Sequence, residues 1–151
     1  MKFIYNDGGR KEAGRKGDAD DCVTRSVVIA SGLPYLEVYD YLAECMKNTR
    51  KTKQSIGAVG KRSASNGIYT TRKFFKDYMK ELGFIWTPTM QIGSGCTVHL
   101  RDGELPSGRL IVNVSKHQVA VIDGEIHDTH DPSRSGTRCV YGYYSLEGAT
   151  A

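Results

Sequence analysis

One of the four cysteines, Cys22, is placed where a thiol can act as a nucleophile. It follows Asp20 and Asp21 and opens a stretch in which apolar residues recur at helical spacing up to Ser31, with Gly32 as a stop signal. The unpaired backbone N–H groups and the dipole at the first turn of a helix favour an anion there. The sequence therefore predicts a helix that begins at a potential thiolate nucleophile.

A thiol nucleophile needs a base, and His117 is the candidate. It begins a predicted strand, and Asp123-Gly124 is a strong signal for a two-residue hairpin turn at the end of that strand. Strand alternation then places His117 and Asp128 on one face as diagonal neighbours, so the carboxylate can fix the imidazole tautomer. The pairs implied by that turn are Ile122 with Glu125, Val121 with Ile126, Ala120 with His127, Val119 with Asp128 and His117 with His130.

A cysteine at a helix start, followed by a histidine and an aspartate on neighbouring strands, resembles the papain-like cysteine peptidase superfamily. The resemblance implies a minimal papain-like core, with Cys22 as nucleophile, His117 as base and Asp128 as the orienting group. Short segments between Tyr5 and Tyr144 also look like a family of small bacteriophage and prophage proteins. Those segments are Asp21–Ser26, Ala30–Tyr35, Arg109–Val112, Ser115–His117 and Ile126–Thr129.

The sequence departs from that superfamily at the oxyanion donor. The superfamily usually places a glutamine a few residues before the cysteine, but there is no Gln or Asn between Gly8 and Asp21. We expect the backbone N–H of Cys22 to act with a donor from a loop, such as Asn6 or Gln54.

The aspartates around Cys22 leave alternatives open. Asp18, Asp20 and Asp21 bring negative charge to the thiol, and that charge opposes the thiolate. A slow enzyme, a narrowly specific enzyme and an inactive one all fit this sequence. A structural cysteine at a helix N-terminus is the non-catalytic alternative.

The remaining cysteines are predicted to be free thiols, because they form no CxxC pair and a reducing compartment is expected. Cys45 belongs to the apolar stripe of a second helix, whereas Cys96 and Cys139 fall on predicted strands. His99 is expected to be an ordinary surface or core histidine. Strand alternation sends His127 and His130 to opposite faces, so no metal site is expected, and no cofactor motif is present.

Helical patterns precede strand patterns along the chain, which predicts an α+β fold with N-terminal helices packed on a C-terminal antiparallel sheet. The length of 151 residues fits a single domain, 1–151, with residues 1–20 as an irregular arm and 47–67 as a basic loop. The predicted helices cover 22–31, Pro34 to Met46, and Thr70 or Thr71 to Leu82. The predicted strands cover 84–86, 96–100, 109–115, 117–122, 125–129 and 139–144.

Positive charge is concentrated in the middle of the chain. Residues 47–80 hold ten Lys/Arg and one acidic residue, Asp77. This block is typical of a solvated loop or of contact with nucleic acid or an acidic host protein, as in an inactive papain-like binding module. Phe74, Phe75 and Tyr78 recur at helical spacing, which favours packing over base stacking.

The sequence thus favours a small cytoplasmic thiol hydrolase, phage-encoded, that acts on a peptide or protein substrate such as a host protein. No apolar run approaches the length of a bilayer-spanning helix, so no membrane partner is expected.

Overall fold

The computed structural model describes residues 1–15, 21–48, 73–91 and 93–146. Within these ranges the helices are α1 (Cys22–Ser31), α2 (Tyr35–Asn48) and α3 (Lys73–Glu81). The strands are β1 (Lys2–Tyr5), β2 (Phe84–Pro88), β3 (Arg109–Val114), β4 (His117–Ile122), β5 (Glu125–Asp128) and β6 (Gly142–Leu146). The predicted α+β class, with helices towards the N-terminus and strands towards the C-terminus, is confirmed. None of the described helices is long and apolar enough to cross a bilayer.

The strands form one sheet in the order β1-β5-β4-β3-β6-β2. β1 pairs with β5 in parallel, and all other neighbours are antiparallel. The prediction of an irregular arm over residues 1–20 is therefore wrong for Lys2–Tyr5, and the sheet is mixed instead of purely antiparallel. A four-residue strand has too weak a pattern to be recognised alone; here it covers the edge of β5 that would otherwise be unpaired.

The hairpin of β4 and β5 has the predicted register over its first three pairs. Ile122 faces Glu125, Val121 faces Ile126, and Ala120 faces His127. Asp123 and Gly124 both have positive φ, 48° and 79°, as a two-residue hairpin turn requires.

Two apolar clusters lie on opposite sides of this sheet. The first joins all three helices to the sheet through residues such as Val27, Leu42, Phe75 and Ile111. The second is formed by alternate residues of β3, β4 and β5 together with the segment around Leu100. The sheet is therefore covered on both faces.

Several predicted elements differ from the structure. The 96–100 segment forms an isolated bridge between His99 and Cys139 instead of a strand, and the last strand covers 142–146. Cys45 is half-buried and not in the core, because α2 presents Val38 and Leu42 to the interior. The predicted start of the third helix and most of the basic loop lie outside the described residues.

Matched leucines on α2 test the packing of the helices on the sheet. Leu42 is completely buried, whereas Leu36 is 40% exposed. We expect Leu42→Ala to lower the free energy of unfolding by about 2–5 kcal/mol, because it leaves a cavity. Leu36→Ala should change it by less than about 1 kcal/mol. Urea denaturation of both variants measures the difference, and equal losses would contradict this packing.

Candidate active site

Three elements bring the predicted site residues to one end of the sheet. His117 is the first residue of β4 and Asp128 is the last residue of β5, so the antiparallel pairing places them at the same end. α1, which begins at Cys22, packs against β4. A buried hydrogen bond of 3.0 Å from Gln118 Nε2 to Ser26 Oγ ties this helix to β4. The start of α1 is thereby fixed beside His117.

His117 and Asp128 form the expected imidazole–carboxylate pair. His117 Nε2 lies 2.6 Å from Asp128 Oδ2, and the aspartate is almost completely buried. The backbone N–H of Thr129 donates to Asp128 Oδ1 at 2.7 Å. Because Nε2 is taken by the carboxylate, Nδ1 is the ring nitrogen that remains for another partner.

That other partner is Cys22, which is close enough for its side chain to raise the pKa of the imidazole. Burial alone would lower the pKa of His117. The hydrogen bonds and negative charges of Asp128 and Cys22 outweigh burial and raise the pKa of His117 from 6.5 to about 9. The imidazole is consequently protonated at neutral pH, so it places a positive charge beside Cys22.

Asp128 remains ionised in this buried position. Burial opposes its charge, but the hydrogen bond from His117 and the positive charge of Arg25 outweigh this effect and lower the pKa of Asp128. A carboxylate that stays charged can orient the imidazole and stabilise its protonated form.

Arg25 is the residue that connects the beginning of α1 to Asp128. Its Nη2 donates to Asp128 Oδ1 at 2.7 Å, and its Nη1 donates to Asp21 one helical turn earlier. The guanidinium is 5% exposed. Arg25 therefore links the helix that carries Cys22 directly to the carboxylate that orients His117.

Asp21 has a different role from the predicted helix cap. It occupies the N-cap position of α1, but its side chain makes no capping hydrogen bond. Its carboxylate instead accepts from Arg25 and from the Tyr35 hydroxyl at 2.7 Å, and Arg10 Nη1 lies 3.5 Å away. The charge expected to oppose the thiolate is thus compensated at Asp21, while Asp18 and Asp20 lie outside the described residues.

The turn after β1 packs against this ion-pair network. The backbone N–H of Asn6 donates to the Asp128 carbonyl at 2.9 Å. Gly8 follows with a φ of 70°, and a Cβ there would lie 3.4 Å from Arg25 Cγ. The turn that follows the N-terminal strand thus packs against Arg25.

Of the two loop donors expected for the oxyanion, Asn6 is among the described residues. Asn6 donates from Nδ2 towards His127 Nδ1 at 3.2 Å and accepts at Oδ1 from the Gly8 N–H, so its amide is already engaged. Gln54 lies outside the described residues. The backbone N–H of Cys22, in the first turn of α1, remains the donor that the described structure supplies.

A metal ion is the alternative for this cluster. Among the described residues, potential ligand atoms of His117, Asp128 and His130 lie within 4.8 Å of one another. Both oxygens of Asp128 already accept hydrogen bonds from protein donors, and His117 Nε2 is one of those donors. A metal would have to displace these bonds, so the donor set fits proton transfer better than metal binding.

Sequence reasoning missed two features of this site. Arg25 was signalled only by its spacing of four from Asp21, a common helical pattern. The His130 ring, 5.1 Å from the His117 ring, was placed by the hairpin register but given no role. The contact of Arg25 with Asp128 is a tertiary contact that local patterns do not encode.

No family model matches this chain, and no curated protein or solved structure matches it. The resemblance to papain-like peptidases and phage proteins therefore stays a prediction. The support for a function comes from the geometry of Cys22, His117 and Asp128.

Replacing Arg25 tests the buried network. Arg25→Met keeps most of the aliphatic volume but leaves Asp21 and Asp128 without their shared guanidinium, and we expect a loss of about 3–5 kcal/mol in the free energy of unfolding. Arg101→Met is the matched control, because Arg101 pairs with Glu104 at an exposed position. That variant should lose less than about 1 kcal/mol. Urea denaturation distinguishes the two, and similar losses would contradict a special role for Arg25.

Proposed function

We propose that this chain is a cysteine hydrolase that cleaves peptide, isopeptide or related amide bonds. Cys22 is the nucleophile, His117 moves the proton, and Asp128 orients the imidazole. The observation that carries the proposal is the bond between His117 and Asp128 at the end of the sheet, with Cys22 close enough to raise the pKa of the imidazole. These residues come from three different elements, and such an arrangement is the one that activates a thiol.

The geometry supports a defined course for acylation. The Cys22 sulfur attacks the substrate carbonyl carbon, and the thiol proton resides on His117 Nδ1, since Nε2 is bonded to Asp128. The negative charge that forms on the carbonyl oxygen lies near the start of α1, where the Cys22 N–H can donate to it. His117 then gives its proton to the leaving amine nitrogen as the carbon–nitrogen bond breaks.

Water then hydrolyses the thioester between the substrate and Cys22. His117 accepts a proton from water, the resulting hydroxide attacks the thioester carbon, and the bond to Cys22 Sγ breaks. The products are a carboxylic acid and the Cys22 thiolate, with the proton from water on His117. An amine in place of water would give acyl transfer with the same residues.

The alternative of a nucleic-acid-binding module gains no specific support. Most of the basic block lies outside the described residues. Phe75 and Tyr78, on α3, are buried and do not present their rings for base stacking. A host protein as partner or substrate, phage origin and a cytoplasmic location likewise stay predictions.

Selective alkylation tests the proposed nucleophile. Cys22 and Cys45 both carry thiols and both are half-buried, so they form a matched pair within one chain. At pH 7 we expect iodoacetamide to modify Cys22 faster than Cys45 by about tenfold or more, because the protonated imidazole favours the Cys22 thiolate. Peptide mapping by mass spectrometry without a reductant measures both rates.

Histidine variants provide the control for this experiment. His117→Ala should remove most of the rate advantage of Cys22, whereas His127→Ala, at a half-buried histidine that bonds Asn6, should preserve it. Equal rates at the two thiols, or a fast Cys22 that is indifferent to His117→Ala, would contradict the proposal.

A further inference from the structure

A second cluster of cysteine, histidine and carboxylate lies apart from the candidate active site. Cys96 and Cys139 form a disulfide, so the prediction that both are free thiols is wrong. His99 Nε2 lies 3.6 Å from Cys96 Sγ. On the other side of the ring, His99 Nδ1 lies 3.1 Å from Glu104 Oε1. The His99 expected to be an ordinary histidine thus connects a carboxylate to a disulfide sulfur.

Glu104 determines the tautomer and the orientation of the His99 ring. A carboxylate accepts hydrogen bonds, so the Nδ1–H donates to Glu104 and the Nε2 lone pair faces Cys96. Glu104 also accepts from the His99 backbone N–H at 3.2 Å and from Arg101 Nε. The ring orientation is therefore fixed, with a proton acceptor directed at one sulfur.

The two sulfurs of the disulfide have different surroundings. Cys96 is exposed, whereas Cys139 is half-buried and its Sγ lies 3.8 Å from Met90 Sδ. Cys96 is thus the sulfur that solvent can reach and that has a base beside it. Cys96 therefore has the two features that exchange with an incoming thiol requires, an accessible sulfur and an adjacent base.

Backbone hydrogen bonds hold the residues that follow Cys96 beside the segment that carries Cys139. Leu100 N–H donates to the Arg138 carbonyl at 2.9 Å, and Val140 N–H donates to the Val98 carbonyl at 2.8 Å. The Cα atoms of Cys96 and Cys139 are 5.9 Å apart in the disulfide. The bridge between His99 and Cys139 does not depend on the sulfur–sulfur bond, so it can keep the segment after Cys96 near Cys139 when the disulfide is reduced.

We propose that Cys96–Cys139 is a thiol–disulfide exchange site for low-molecular-weight thiols, with Cys96 as the exchanging cysteine and His99 as its base. This site goes beyond the proposed hydrolase and does not depend on it. The geometry of Cys96, His99 and Glu104 carries the assignment.

The exchange balances in atoms and electrons. An incoming thiol gives its proton to His99 Nε2, and its sulfur forms a bond to Cys96 Sγ. The Cys96–Cys139 bond breaks, and its electron pair leaves on Cys139, which takes a proton from solvent. A second thiol loses its proton to solvent and its sulfur attacks the sulfur of the first. Cys96 leaves as a thiolate and takes the proton from His99, and the two small thiols leave as their disulfide. The protein is reduced and the two thiols are oxidised.

Glutathione serves as the probe in a Cys22→Ser, Cys45→Ser background, where only the two relevant cysteines remain. We expect acid-quenched mass spectrometry to find the glutathione adduct on Cys96 and not on Cys139. His99→Gln should slow both the reduction by glutathione and the reoxidation by its disulfide by about tenfold or more. His130→Gln, at an exposed histidine outside this cluster, is the matched control and should react like the parent.

A purified chain without the disulfide, an adduct confined to Cys139, or equal rates for His99→Gln and His130→Gln overturns the proposal. If His99→Gln does not fold, Glu104→Gln takes its place and should slow the exchange, since the imidazole loses its carboxylate. Because the background lacks Cys22, the result is independent of hydrolase activity.

Discussion

The guanidinium of Arg25, buried between Asp21 and Asp128, is the interaction on which the arrangement of the candidate active site depends. It lies on the same helix as Cys22 and reaches the last residue of β5, so one side chain joins the nucleophile's helix to the orienting carboxylate. A charge in this position has little access to water and is stable only with its partners. The geometry of the thiol and the imidazole is therefore coupled to an ion-pair network.

The network is balanced in charge. Arg10 and Arg25 compensate Asp21 and Asp128, and the Tyr35 hydroxyl donates to Asp21 while it accepts from Arg10. Burial and the hydrogen bond to Asp21 raise the pKa of Tyr35, which therefore remains a neutral donor. With these charges compensated, the His117 imidazolium and the start of α1 are the positive groups that the described residues place near Cys22. The proposed chemistry requires positive charge at this position.

The sequence predicted the structural features that local patterns encode, namely the bounds of α1 and the register of the β4–β5 hairpin. α1 begins and ends where the apolar spacing and Gly32 indicated, and Asp123-Gly124 set the register that brings His117 next to Asp128. Helix periodicity and turn chemistry depend on neighbours within a few residues, so one chain suffices to recognise them.

The parts that the sequence did not predict depend on distant contacts. β1 is too short to recognise without β5, its pairing partner. Asp21 has the residue type of a helix cap, but tertiary ion pairs with Arg10 and Arg25 outcompete the cap. The disulfide joins cysteines separated by 43 positions, and no local spacing signals that pairing.

The most direct test of the central claim is an NMR titration of the His117 ring nitrogens. The account predicts that His117 in the intact chain stays protonated through neutral pH and titrates with a pKa of about 9. In Asp128→Asn the pKa should fall towards the ordinary value near 6.5, because the carboxylate no longer stabilises the imidazolium. A wild-type His117 that titrates near 6.5, with no response to Asp128→Asn, would contradict the account.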